Sequence, residues 1–111
     1  MNWTNIVRQE QLEEIKQLSA SKPQLIFKHS TRCSISNVAK NRLERSEPVD
    51  GIDFYFLDLL QFRNISAQIA EEFSVFHESP QVLLIKKGEC VYDESHGGIN
   101  MEDIAAQSIG S

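Results

Sequence analysis

Cys33 lies inside the polar run Ser30-Thr31-Arg32-Cys33-Ser34-Ile35-Ser36, directly after the apolar stretch Leu25-Ile26-Phe27. A helical pattern begins at the same place. A thiol at a helix N-terminus faces unpaired backbone N–H groups and the positive end of the helix dipole. Both favour thiolate over thiol, and such settings bring a cysteine pKa from about 8.5 into the range of roughly 3.5–7.5. The chemistry open to this sulfur is thiol–disulfide exchange. Arg32 can add positive charge beside it. Ser36 stands where a Cys-x-x-Cys redox site has its second sulfur. A serine oxygen cannot form a disulfide, but it can donate a hydrogen bond to a thiolate one helical turn away. Such a monothiol centre forms a mixed disulfide that an external thiol must release. The plainer readings are a buried, inert cysteine, as free cysteines often are, and a Ser36 that only caps or solvates the first turn.

The other chemistry-bearing residues give weaker signals. His29, His77 and His96 have no compact metal-ligand spacing with the two cysteines, whereas a structural zinc site needs four protein ligands. No metal is expected. Glu13-Glu14 and Glu71-Glu72 read as solvated helix faces, and the glycines form no phosphate loop.

The elements that must hold Cys33 follow from periodicity. Leu12, Ile15 and Leu18 recur at helical spacing, predicting a helix from Gln9 to Ser19 that stops before Pro23. Gln24 to His29 reads as a strand. Ile35, Val38, Ala39 and Leu43 form one face of a second helix, ending near Ser46 because Pro48 restricts the residue before it. Ile52 to Leu57 is a strand whose Phe54-Tyr55-Phe56-Leu57 run suits burial on both faces. Ile65, Ile69, Ala70 and Phe73 mark a third helix, with Asn64 as its expected cap. Val82 to Ile85 is a third strand, Lys87-Gly88 a hairpin turn, and Cys90-Val91-Tyr92 part of the returning strand. Asn100 should cap the last helix, with Asp103 at its third position, Ile99 and Ile104 as a hydrophobic staple, and fraying near Gly110. This order predicts an α/β domain with a central mixed sheet and helices on both faces.

The length of 111 residues suits one domain, 1–111, and one core. A net charge of −5 argues against a general nucleic-acid binder, although Arg32, Lys40, Arg42 and Arg45 could form a local basic patch. No segment is apolar for long enough to span a membrane. The first residues lack the pattern of a signal peptide. The expected place is the cytoplasm, where thiols stay reduced, with neither nucleic acid nor membrane as partner.

The segment Lys28-His29-Ser30-Thr31-Arg32-Cys33-Ser34-Ile35-Ser36 resembles the active-site segment of the YtxJ-like monothiol bacilliredoxins, a thioredoxin-like family. His77-Glu78-Ser79-Pro80-Gln81 is similar to the proline loop of that family, and Trp3, Leu57-Asp58 and Ser95-His96 match its pattern in order. The resemblance covers nearly the whole chain. It implies a thioredoxin-like fold, Cys33 as nucleophile, and Pro80 as a cis-proline facing it. It also implies that Thr31, Ser79, Pro80 and His96 meet the substrate, while Ser34, Ser36 and Arg32 support the thiolate. The family commonly has proline after the nucleophile. Ser34 keeps an N–H there, which can alter hydrogen bonding to sulfur. The implied topology places Cys90 beyond the far hairpin, too distant to resolve a disulfide. Cys90 is therefore expected to be a packed strand cysteine.

The resemblance further implies a monothiol disulfide reductase acting on S-thiolated client proteins. It implies no tightly bound cofactor, with bacillithiol, or another low-molecular-weight thiol, as the expected co-substrate. A non-catalytic adaptor of the same fold and a thiol-based redox sensor are the two rival functions.

Overall fold

The computed structural model describes residues 3–30, 34–46, 49 and 51–109. Five strands, β1 (Thr4–Asn5), β2 (Gln24–His29), β3 (Asp53–Asp58), β4 (Gln81–Lys86) and β5 (Glu89–Ser95), form one sheet in the order β1-β3-β2-β4-β5. β1, β3 and β2 are parallel, and β4 and β5 continue the sheet antiparallel. The helices are α1 (Glu10–Leu18), α2 (Ser34–Arg45), α3 (Arg63–Glu72) and α4 (Met101–Ile109), with a 3-10 turn at His96–Gly98. β1 is an addition to the sequence expectation: two exposed residues give no periodic signal.

The strands are apolar on both faces because both faces are covered. Ile26, Tyr55, Leu57, Leu83 and Ile85 pack with Leu12 and Ile15 of α1 and Ile65 and Ile69 of α3. Leu25, Phe27, Phe54, Val82 and Leu84 pack with Ala39 and Leu43 of α2 and Met101 and Ile104 of α4. Strand alternation therefore decides which layer each side chain enters.

Three local expectations need correction. Val38 is 53% exposed, and Ser36 takes its place on the buried face of α2 with Ala39 and Leu43. The apolar spacing therefore drew the helix face too wide. Leu18, in the last turn of α1, is 47% exposed, while Gln11 is buried. Gln11 Oε1 accepts the Val7 and Arg8 N–H groups at 2.6 and 2.9 Å, so its amide braces the chain entering α1. Asn64 does not cap α3; Phe62 is the N-cap residue, without a side-chain cap bond, and Asn64 lies inside the helix.

The ends of β5 are built as expected. Lys87 and Gly88 have φ of 53° and 78°, the backbone of a tight hairpin turn. Asn100 Oδ1 accepts the Asp103 N–H at 2.8 Å, capping α4. Ile99 and Ile104 are fully buried in one cluster beside that cap. α2 ends at Arg45, where the stop near Ser46 was expected, and α4 runs to Ile109; Pro48 and Gly110 themselves lie outside the described residues.

Candidate functional site

One end of the sheet gathers the residues of interest. His29, the last residue of β2, pairs with Asp58; Lys28 pairs with Gln81, the first residue of β4; and Gln81 pairs with Ser95, the last of β5. Residue 33 is thus the chain position immediately before α2, whose first residue is Ser34. Thr31, Arg32 and Cys33 themselves lie outside the described residues.

The loop entering β4 reaches the same end. The Ser79–Pro80 peptide bond is cis, the isomer the family resemblance implied. Pro80 is buried, and its carbonyl accepts the His96 N–H at 3.1 Å. This bond joins the proline loop to the turn after β5. Gln81 holds the loop from within: Nε2 donates to the Phe76 carbonyl at 3.0 Å, and Oε1 accepts the Glu78 N–H at 3.4 Å. Arg42 of α2 donates to the Gly97 and Ile99 carbonyls at 3.2 and 3.0 Å, fixing the 96–98 turn against that helix. The Ser79 hydroxyl oxygen is buried and has no hydrogen-bond partner among the described residues.

Ser34 is exposed at the helix start, whereas Ser36 is fully buried. Ser36 Oγ accepts the Ser30 N–H at 3.1 Å and lies 2.7 Å from His29 Nδ1. Ser36 is therefore an interior hydroxyl bound to an imidazole, not one that merely solvates the first turn. His29 is itself buried, its ring 5.6 Å from Phe27 and 5.2 Å from Phe56. Burial and the Lys40 charge push its pKa down, opposed by Asp58, Ser36 and Asn37. The imidazole is neutral at neutral pH, with one N–H and one lone pair.

Lys28 leaves β2 on the opposite face. Its side chain is fully buried, and its Nζ lies 3.4 Å from His77 Nδ1. Ser66 Oγ of α3 lies 3.2 Å from the same nitrogen. Burial pushes the Lys28 pKa down to about 8. Burial and the Lys28 charge push His77 down, against the pull of Glu78. His96 is exposed, with Nε2 3.4 Å from Glu78 Oε2. In the sequence, Lys28, His29 and His77 stand in the segments that resemble the family, but no individual role follows for them beyond a weak metal-ligand reading of the two histidines. A lysine and a histidine closing an apolar strand were the available signal.

Cys90 is a half-buried free thiol at the other end of the sheet. It pairs with Ile85, itself opposite Gln24 at the start of β2. At about 3.3 Å per residue, the five residues from Gln24 to His29 separate it from the site end by roughly 17 Å. Burial raises its pKa to about 11. A bulge between Leu84 and Ile85 shifts the β4–β5 register there. Cys90 consequently packs in the α1–α3 layer while Tyr92 packs in the α2–α4 layer.

The strand order, the proline loop at the site end and a helix opening right after Cys33 are now all in place. The family model of the monothiol bacilliredoxin BrxC matches residues 4–104. The chain belongs to that family. Among solved structures, a candidate oxidoreductase with a thioredoxin fold is 31% identical, with a TM-score of 0.78 over 93% of this chain and 90% of that one. Thioredoxin from Malassezia sympodialis is 18% identical with a TM-score of 0.76, covering 96% of this chain and 90% of its own. Thioredoxin from Fasciola hepatica is 15% identical with a TM-score of 0.76, covering 94% and 97%. The last two show the fold alone. This bacilliredoxin-family chain is a thiol oxidoreductase with a thioredoxin-like fold. Among its described residues, no helix is long and apolar enough to cross a membrane.

Proposed function

We propose that this protein removes a low-molecular-weight thiol, bacillithiol first, from S-thiolated client proteins through Cys33. The observation that carries a one-sulfur mechanism is the position of Cys90. It sits at the opposite end of the sheet with its pKa raised to about 11, and a serine occupies the position one turn after Cys33. Neither can serve as a resolving thiolate beside Cys33.

In the first step the Cys33 thiolate attacks the small thiol's sulfur in the client mixed disulfide. A new S–S bond forms to Cys33, the old one breaks, and the client leaves as a thiolate that takes up a proton. A second molecule of the small thiol, as its thiolate, then attacks the adduct. It restores Cys33 and departs as the symmetrical disulfide, so the small thiol supplies both electrons. Ser79, Pro80 and Thr31 would align the incoming disulfide, and His96 would contact it from the turn bonded to Pro80. Arg32, Ser34 and Ser36 would support the thiolate. No tightly bound cofactor or metal is required, and the reducing cytoplasm is the compartment this chemistry suits. Neither nucleic acid nor a membrane enters the proposed reaction.

The test incubates reduced protein with a bacillithiolated client and follows both species by intact mass. Client release with a bacillithiol adduct on Cys33, absent in Cys33→Ala and retained in Cys90→Ala, is the expected result. Release that persists undiminished in Cys33→Ala refutes the reading. Stable client capture without turnover would instead favour an adaptor. Reversible modification that alters partner affinity without client reduction would favour a sensor.

A further inference from the structure

Ser36 has one proton to give, and its surroundings decide where that proton goes. Its oxygen already accepts the Ser30 N–H, and His29 Nδ1 lies 2.7 Å away. If the neutral imidazole carries its proton on Nε2, Nδ1 is a lone pair and takes the Ser36 hydroxyl proton. Ser36 then has nothing to donate. If the proton is on Nδ1, Ser36 accepts from both His29 and Ser30, and its own O–H is left free. Only the second arrangement can stabilise an anion one turn away.

We propose that His29 is a positioning residue for the exchange reaction, one that acts through Ser36 by leaving or taking the hydroxyl proton offered to the Cys33 sulfur. The proposal rests on the assignment of Cys33 as nucleophile. A His29 Nδ1–H that donates to Ser36 Oγ would polarise the Ser36 hydroxyl and strengthen the bond its proton could make to a thiolate at position 33. The site suits it because both side chains are buried, so water does not compete for the Ser36 proton. The imidazole packs at the edge of the Phe27 and Phe56 pair, whose centroids are 6.2 Å apart, and Lys40 lies over Phe56, 5.4 Å from its centroid. The groups that bear on its charge are Lys40 and Asn37 from α2 and Asp58 from β3. Lys40 opposes a full imidazolium, and Asp58 favours one. A neutral imidazole that changes tautomer meets both constraints.

The experiment reads the Cys33 titration directly. Iodoacetamide labelling of the Cys33 peptide is followed by mass across pH for wild type, Ser36→Ala, His29→Phe, His29→Asn and the Ser36→Ala/His29→Phe double variant. His29→Asn keeps an amide donor in the place of Nδ1. Ser36→Ala and His29→Phe should each raise the Cys33 pKa by about one unit, a tenfold loss in thiolate-to-thiol ratio. The double variant should match Ser36→Ala alone, and His29→Asn should restore most of the shift. Additive shifts in the double variant, or a His29→Phe profile identical to wild type, would overturn the proposal.

Imidazole nitrogen NMR shifts of unsubstituted protein give an arm that no folding defect can spoil. His29 should move toward the Nδ1–H tautomer in step with Cys33 ionisation; an imidazole blind to that ionisation overturns the proposal. Labelling needs no client. Cys33-dependent client release with a profile indifferent to His29 sinks this inference alone. Client release that does not need Cys33 sinks the reductase reading instead.

Discussion

Replacing Lys28 with methionine should make the protein more stable at neutral pH, by an amount that fades as pH rises. The Lys28 side chain is completely buried at the end of an apolar strand, and its amine has one imidazole nitrogen at 3.4 Å. Burial lowers its pKa from 10.5 to about 8. Below pH 8 both folded and unfolded chains carry the ammonium, and the fold bears the whole penalty of enclosing it. Between about 8 and 10.5 the folded chain has lost the proton while the unfolded chain keeps it, so stability rises with pH across that window. One pKa unit corresponds to about 1.4 kcal/mol. The shift therefore corresponds to about 3 kcal/mol, a large share of the roughly 5–15 kcal/mol that holds a domain together. Methionine has similar length and no charge, so Lys28→Met removes the penalty with little loss of packing. The assay is urea unfolding of both proteins, paired at each pH from 6.5 to 9.5 under reducing conditions. Pairing cancels the titrating groups that Lys28 does not influence; His77, whose pKa the Lys28 charge holds down, acts at the acid end of the range. The advantage of the variant should shrink by up to about 1.4 kcal/mol per unit above pH 8. A difference that stays flat over the whole range would refute the reasoning.

Two further outcomes can be measured on the same material. With its pKa raised to about 11, Cys90 should label with iodoacetamide at pH 8 roughly a hundredfold more slowly than a cysteine in an unstructured peptide, and catch up in denaturant; equal rates in the folded protein would contradict its packed environment. Asn100→Ala removes the oxygen that accepts the Asp103 N–H and should lower stability by about 1 kcal/mol in chemical denaturation, whereas Asn100→Asp should lose much less.

The apolar strands were legible because their runs are short, bounded by turn residues and spaced by helices. β2 has the bounds its sequence suggests, Gln24–His29, and the cap at Asn100 is written in residue types alone. What escaped was set by tertiary contact. Val38 has the right spacing for the core, but Ser36 is drawn inward by His29, and that preference depends on a strand seven residues earlier in the chain. Asn64 is a good capping residue at a helix that begins before it. The bulge that turns Cys90 into the α1–α3 layer has no local signature, since it shows only in how β5 registers with β4. At the candidate site the sequence picked out the serine and the proline loop. It did not show that Lys28 and His29 would both be enclosed, because strand polarity at a sheet end normally signals exposure.

β2 finishes with two polar neighbours that the pleat sends apart, the lysine amine toward α3 and the histidine ring toward α2. Inserting or deleting a single residue in this strand would exchange their compartments, leaving an amine pressed on Phe56 and an imidazole beside His77 and Ser66. The strand therefore tolerates changes of residue type far better than changes of length, and variation in this part of the chain should accumulate before Gln24, where a miscount can be absorbed in the turn.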